Sequence, residues 1–231
     1  MCKTLFNHLE SEIAKYINGG ICIAFSGGVD SSLLLKVCCQ LAQKQHKNIH
    51  AVLFDTFLQP KNDIETAKAV AEECGAIFSI LHINELDNIL IQNNPKDRCY
   101  QCKKFLFTKL LAFAKQNNCQ VVFDGTNADD MNMYRPGLQA VKELGIISPI
   151  ANAHITKKQV RILAENIGLS VANRPSNSCL ATRLKYGTKL EPALLQKIEQ
   201  GELFLQQLGF HQVRLRIHDD IMRIEFSSEQ M

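Results

Sequence analysis

The chain has no run of apolar residues long enough to cross a bilayer, so a membrane-spanning protein is not expected. Its first residues, Met-Cys-Lys-Thr-Leu-Phe-Asn-His-Leu-Glu, read as the start of an amphipathic helix and lack the pattern of a signal peptide. The expected location is therefore the cytoplasm. Charge of one sign is also scarce. The balance of 26 basic and 23 acidic residues leaves +3, too little for a broad nucleic-acid footprint, though not for a local basic patch. Internal repeats and low-complexity segments are missing. Disulfides are not expected, because the nine cysteines are odd in number and lack an export signal. Any special cysteine should then serve metal binding or catalysis. Cys22, Cys38 and Cys119 lie in or beside apolar runs and read as small core residues. Apolar residues are plentiful, at 46% of 231. That is enough for a real core and too much for disorder. The length suits one medium domain, or a main domain with a small appendage.

Apolar runs and helical periods alternate along the first two thirds of the chain. A helix to about residue 17 stops at Asn18-Gly19-Gly20. The runs Ile21–Phe25, Ile49–Phe54, Ala76–Leu81 and Gln120–Phe123 read as strands, separated by helices over 31–46, 62–74 and 103–116. Such alternation predicts an α/β fold with a mostly parallel sheet and helices on both faces. Ligands bind such sheets beyond the carboxyl ends of the strands, where Ser26, Asp55 and Asp124 fall. Thr156-Lys-Lys-Gln159 is a capping box for a further helix to about Asn166. Residues 172–190 are rich in turn formers. A helix from Glu191-Pro192 to about Gln207 follows, then a hairpin turning at Asp219-Asp220. The division predicted is 1–170 for the sheet domain and 171–231 for a smaller substrate region.

The richest stretch is Ser26-Gly-Gly-Val-Asp-Ser-Ser32, between the first strand and the helical Leu33-Leu34-Leu35-Lys36-Val37. Gly27 and Gly28 let the backbone take positive φ and approach a ligand closely. The amides of the turn and of the helix N-terminus make an anion site, to which Ser26, Ser31 and Ser32 add hydroxyls. A phosphate is the expected guest. The spacing of a Walker loop is absent. The stretch resembles instead the pyrophosphate-binding loop, S-G-G-x-D-S, of the adenylating ATP pyrophosphatases, which cut ATP between its α- and β-phosphates. Asp124-Gly-Thr-Asn-Ala-Asp-Asp130, after the fourth strand, resembles their second loop. By that resemblance Gly125 and Thr126 line the ATP site, and Asp30, Asp124 and Asp129 offer the carboxylate oxygens that Mg²⁺ needs.

Two further stretches concern sulfur. Arg98-Cys99-Tyr-Gln-Cys102-Lys-Lys104 places a C-x-x-C beside cations at a helix start, which favours thiolates. One such pair gives two ligands where a zinc site usually needs four, and there is no second pair. Cys179, flanked by Arg174 and Arg183 in a polar segment, is the candidate third thiol. Three thiolates can hold a four-iron cluster with one iron open. A redox or buried structural dithiol, and a passive loop thiol at 179, are the plain alternatives.

Taken with Tyr134-Arg-Pro-Gly137, Ser178-Cys-Leu-Ala-Thr-Arg183, Tyr186-Gly-Thr188 and Val213-Arg-Leu-Arg-Ile-His218, these stretches resemble the LarE family of ATP-dependent sulfur transferases over most of the chain. The resemblance implies a Rossmann-like fold of the adenine nucleotide α-hydrolase type. It implies adenylation of a carboxylate of pyridinium-3,5-biscarboxylic acid mononucleotide and displacement of AMP by sulfur, giving a thiocarboxylate for the nickel-pincer nucleotide cofactor. Cys179 matches the sulfur-bearing cysteine. Cys99 and Cys102 match the extra pair of members that relay sulfide through a four-iron cluster, while other members sacrifice one cysteine to dehydroalanine. Asp55, Arg135, Arg183 and Glu202 join the nucleotide and substrate sites by the same resemblance. Arg214 and Arg216 share one face of a strand and can clamp the substrate phosphate; a solvated strand face is the plain alternative. The active sites of such enzymes can be shared between subunits, so a homo-oligomer is compatible.

Two departures loosen the substrate assignment. The chain stops at Ser228-Glu-Gln-Met231, where family members usually continue with polar substrate contacts, and His218-Asp-Asp220 replaces a more usual His-Gly. Rival readings are a tRNA-thiolating or NAD synthetase-like amidating pyrophosphatase, or a non-catalytic iron–sulfur or nucleotide-binding regulator.

Overall fold

The computed structural model describes residues 2–60, 63–175, 177–210 and 212–226. The elements in chain order are α1 (Cys2–Ala14), β1 (Ile21–Ala24), α2 (Val29–Gln43), β2 (Ile49–Asp55), α3 (Asp63–Cys74), β3 (Ile77–His82), α4 (Arg98–Gln116), β4 (Val121–Phe123), α5 (Ala128–Met131), α6 (Gly137–Glu143), α7 (Pro149–Asn152), α8 (Lys157–Asn166), α9 (Pro192–Gln207), β5 (Val213–His218) and β6 (Ile221–Phe226). Strands β3-β2-β1-β4 form one parallel sheet in that order. A parallel bridge from Phe123 to Ile147 continues it past β4. The expected α/β class with a parallel sheet is what the chain adopts.

The period of two along each strand decides which helices cover which face. Ile21 and Ile23 of β1 point into a core with Leu9 and Ile13 of α1, Leu33, Leu34 and Val37 of α2, Val70 of α3 and Val160 of α8. Cys22, between them in sequence, points the other way and joins Val52, Val122, Phe107 and Leu110 of α4, and Val141 of α6. The sheet is therefore apolar on both faces, as parallel sheets are. The central strands deliver their carboxyl ends, at Phe25 and Asp124, to one rim.

The last third of the chain makes a third core. Leu180, Ala181, Leu184, Leu190, Leu195, Ile198 and Leu215 pack together, with Leu58 and Ile91 supplied from the loops after β2 and β3. Backbone hydrogen bonds from Leu180 N to Leu58 O (2.8 Å), Leu190 N to Gln92 O (2.7 Å) and Gly187 N to Asn94 O (3.1 Å) stitch these loops to it. The β5–β6 hairpin is antiparallel, with Asp219 in the turn at φ 56°.

Element ends differ from expectation where local signals compete. α2 spans Val29–Gln43, not 31–46, because Gly28 serves as its N-cap. α4 begins at Arg98, about a turn before the apolar period becomes visible at 103, so Cys99 and Cys102 lie in its first turns. α1 ends at Ala14, and a 3₁₀ turn over Ile17–Gly19 carries the chain to Gly20 at φ 74°. The short helices α5, α6 and α7 have too few turns to reveal a period. The capping box expected at Thr156 forms, with Gln159 N donating to Thr156 Oγ1 and Thr156 N to Gln159 Oε1.

Candidate active site

A cavity of about 650 Å³ opens at the carboxyl ends of β1 and β4. Ser26, Gly28, Asp30 and Ser31 line one wall, Asp124 to Asn127 with Asp129 and Asp130 another, and Arg174, Asn177, Ser178 and Cys179 a third. The glycine loop is shaped by its own serines. Ser31 Oγ donates to Gly28 O (3.1 Å), lies 3.2 Å from Ser26 Oγ, and accepts from Ser26 N (3.3 Å). Among the described residues no side chain caps α2, so its N-terminal amides are left for a ligand at the cavity, beside Asp30 of the first turn.

The two glycines have separate jobs. Gly27 sits at φ 70°, and a Cβ there would come within 2.9 Å of the Ala67 backbone, so packing of the loop on α3 requires it. Gly28 has ordinary dihedrals, and a Cβ there would meet only Ser26 Oγ at 3.4 Å. Only Gly28 lines the cavity, so its bareness serves an incoming ligand. Gly125 joins the two loops: a Cβ there would meet Ser31 N at 3.0 Å. Gly27 and the buried Ser32, both expected at the phosphates, lie behind the wall.

Two of the cavity's carboxylates, Asp30 and Asp124, are paired with lysines. Asp30 accepts from Lys157 Nζ and from Asn127 Nδ2 (3.1 Å), and Asp129 accepts from Lys157 N (2.8 Å). Asp124 accepts from Lys103 Nζ (3.0 Å), Thr126 Oγ1 (2.7 Å) and Ser148 Oγ (2.5 Å). Asp130 closes the capping box with Asn127 and pairs with Arg135 (2.9 Å). Among the described residues no three His, Cys, Asp or Glu side chains converge on one point as a single ion would need. The donors are chemically right for Mg²⁺, being hard oxygens. Taking a cation here means exchanging it for a lysine. Lys103 and Lys157 were not anticipated; Lys157 follows directly on the capping Thr156, which is the sequence signal that could have placed it.

Of Cys99, Cys102 and Cys179, the last lines the cavity, on its third wall. Cys99 is exposed, while Cys102 and Cys179 are half-buried against the third core. Arg98 lies among them, with Nη2 donating to Cys99 Sγ at 3.4 Å. The three thiols are close enough to raise the Arg98 pKa, against the burial that lowers it. The acidified thiol expected at Cys102 of the C-x-x-C is not found. Burial pushes it up, as it does Cys179, where the nearby Arg98 only partly opposes it. The helix dipole and flanking cations lose to desolvation here. Three thiols fit a four-iron cluster as a donor set, since each would take a different iron and need not converge on one point. Glu85, 1% exposed, was also missed. Burial raises its pKa while Thr56 and the Phe57 and Leu58 amides bond to it, and its charge raises the Cys102 and Cys179 pKa values further.

A second cavity of about 510 Å³ shares Pro60, Pro175, Asn177 and Ser178 with the first. Arg183 and Glu202 meet on its wall in a bidentate pair, Nε–Oε1 2.8 Å and Nη2–Oε2 2.9 Å. Glu202 also accepts from Leu215 N (2.8 Å), and Arg183 Nη1 holds Ser178 O and Oγ beside Cys179. Arg214 lines this cavity with Arg161, Gln206 and Gln212. Arg216 shares its strand face but not the cavity. It is spent on Glu225 (2.7 Å) and Thr182 O (2.6 Å). Asp55 likewise falls outside both cavities, paired with His82 at 2.7 Å.

Sheet, glycine loop and acidic second loop together define a nucleotide-binding protein of the NAD synthase type, and the NAD synthase family model matches residues 1–128. The chain is 36% identical over 205 residues to the pyridinium-3,5-bisthiocarboxylic acid mononucleotide synthase of Lactiplantibacillus plantarum, covering 89% of this chain and 74% of that protein. It is 38% identical over 209 residues to an uncharacterized protein of Synechocystis sp., covering 90% and 77%. Against an uncharacterized protein of Methanocaldococcus jannaschii it is 31% identical over 215 residues, covering 93% and 81%. The chain belongs to the LarE family within the ATP pyrophosphatases.

Proposed function

We propose that the protein is an ATP-dependent sulfur transferase that converts a carboxylate of pyridinium-3,5-biscarboxylic acid mononucleotide into a thiocarboxylate, in the cytoplasm. The observation that carries this is the shared cavity: the glycine loop, the Asp124–Asp130 loop and Cys179 line one space. An acyl group activated at the first two can be reached by sulfur at the third without leaving it. The kinship with a protein named for the bisthiocarboxylic product supplies the substrate class.

The N-terminal amides of α2 and the glycine loop at 26–28 hold the β- and γ-phosphates. A substrate carboxylate oxygen attacks the α-phosphorus, and pyrophosphate leaves. Asp30, Asp124 and Asp129 would hold Mg²⁺, which when bound would offset charge on the phosphates; Lys157 and Lys103, now paired with Asp30 and Asp124, are placed to turn to the phosphates and keep cationic charge in the site. Arg135 leaves Asp130 for the same anions. Sulfur from the Cys179 side then adds to the acyl carbon, the C–O bond to phosphate breaks, and AMP departs. Cys99, Cys102 and Cys179 would hold a four-iron cluster, which when bound supplies an open iron able to carry sulfide. Arg214 in the adjoining cavity holds the mononucleotide phosphate, and the Arg183–Glu202 pair fixes the loop carrying Cys179. In this division residues 1–170 activate and residues 171–231 present substrate and sulfur.

Incubation with ATP, Mg²⁺, a sulfide source and the mononucleotide, followed by mass spectrometry, tests the proposal. A mass gain of sulfur for oxygen with matching AMP supports it. ATP cleavage that leaves the mononucleotide unaltered overturns it.

A further inference from the structure

Among the described residues two arginines are almost wholly buried, and they are treated differently. Arg183, 4% exposed, is met on two of its three nitrogens, Nε and Nη2, by the carboxylate of Glu202. Arg98, 3% exposed, is paired with no carboxylate among the described residues. Its Nη1 donates to the neutral amide oxygen of Asn94 at 2.5 Å, and its Nη2 faces Cys99 Sγ at 3.4 Å. Asn94 is itself fully buried at φ 46°, and its Nδ2 bonds Lys185 O (2.8 Å) and Leu184 O (3.3 Å). The guanidinium is thus fixed from the far side by the segment that follows Cys179.

A buried guanidinium without a counter-anion is unfavourable, and native proteins keep one only where a negative charge completes the site. Arg98 opens α4, so the positive end of that helix adds to its field. Glu85, the buried carboxylate whose charge acts on Cys102 and Cys179, is committed to Thr56 and the 57–58 amides. What the free face of Arg98 meets is sulfur: Nη2 donates to Cys99 Sγ at 3.4 Å, Cys102 lies one turn further along α4, and Asn94, which holds Nη1, also reaches Ala181 O (3.4 Å), two residues past Cys179.

We propose that Arg98 is a positioning residue whose charge completes the cysteine site: it is the counter-cation for anionic sulfur held at Cys99, Cys102 and Cys179, and Asn94 sets its orientation. This deepens the sulfur-transferase reading and rests on it for the purpose of the anion. The same charge serves thiolates alone or thiolates on iron, because both arrangements are negative. Glu202 performs the matching service for Arg183 with a carboxylate; at Arg98 the reaction's own sulfur does so.

The test uses the full chain, metal-free and anaerobic, at one fixed pH. Mass spectrometry follows the rate at which iodoacetamide alkylates Cys179 in the wild type, Arg98→Gln and Arg98→Lys. Removing a cation beside a thiol should slow alkylation about tenfold in Arg98→Gln, the effect of one unit of thiol acidity. Arg98→Lys, which keeps the charge, should stay within about threefold of wild type. A purely structural arginine predicts the opposite sign, because loosened packing exposes Cys179 and speeds alkylation in both variants. If Arg98→Gln does not fold, faster alkylation in Arg98→Lys alone overturns the proposal and an unchanged rate supports it. Iron uptake by the wild type is measured separately. Slowed alkylation with no iron uptake keeps the counter-cation and removes the cluster, whereas iron uptake with accelerated alkylation does the reverse.

Discussion

The two ends of the cavity are built by different means. At the phosphate end the backbone does the shaping: a strand end, Gly27 at φ 70° against Ala67, the uncapped start of α2, and Gly125 backed onto Ser31. At the sulfur end long side chains do it. Arg98 reaches Asn94, Asn94 reaches the carbonyls of 184 and 185, Arg183 clasps Glu202, and Glu202 takes the amide of Leu215. A backbone site tolerates change in its neighbours and fails at a glycine. A site braced by buried charge fails when either partner of a pair is cut.

The largest effect expected is a clean division of the reaction between those ends. Cys179→Ala should abolish thiocarboxylate formation while AMP and pyrophosphate still appear with the mononucleotide present. Gly28→Val should lose pyrophosphate release by roughly a hundredfold or more, because the phosphates can no longer seat at the amides. Thermal unfolding should separate the glycines: Gly28→Ala melts near wild type, and Gly27→Ala melts lower. Equal losses at both positions would mean that Gly28 also serves packing.

Next in size is the buried pair at the sulfur end. Arg183→Met should cost about 3–5 kcal/mol of stability, because Glu202 is left buried and charged. Arg183→Met with Glu202→Leu should recover part of it, as read from denaturant unfolding. A double variant no more stable than the single one would show that the pair matters through the Leu215 amide and the Ser178 loop instead.

How far these ends could be read in advance follows from how they are built. Glycine, serine and aspartate at fixed spacing after an apolar run carry their meaning locally, so the loops at 26–32 and 124–130 and the sheet beneath them were legible. The start of α4 was legible only in part: the C-x-x-C and its cations read as a helix start, but the apolar period becomes visible only from 103. The sulfur end depends on contacts over long sequence separations, such as Asn94 with 185 and Arg183 with Glu202. Nothing local distinguishes Arg98 from an exposed arginine, or Glu85 from a surface glutamate. Alternation placed Arg214 and Arg216 on one face, as observed, but could not tell that Glu225 and the Thr182 carbonyl would occupy Arg216.

That last contrast gives a smaller effect to measure. Arg214→Ala should weaken mononucleotide binding roughly ten- to a hundredfold, the worth of a charge-assisted bond, with ATP affinity kept. Arg216→Ala should weaken it less, and chiefly by loosening the hairpin against Thr182. Calorimetric titration of both ligands into both variants checks this, and a larger loss at Arg216 would reverse the assignment. The smallest effect is expected at Asp55→Asn, which should leave ATP affinity within about twofold, a few tenths of a kcal/mol, because its carboxylate pairs with His82 away from the cavity.

The claim that one cavity both activates the carboxylate and delivers sulfur is met most directly by a single-turnover reaction. Protein, ATP, Mg²⁺ and mononucleotide are mixed anaerobically with labelled sulfide, and AMP and labelled thiocarboxylate are counted together in wild type and in Cys179→Ala. Matching amounts of the two products in wild type, and AMP without thiocarboxylate in the variant, are the expected result. Undiminished labelled thiocarboxylate in Cys179→Ala, or sulfur incorporation without AMP, would contradict it.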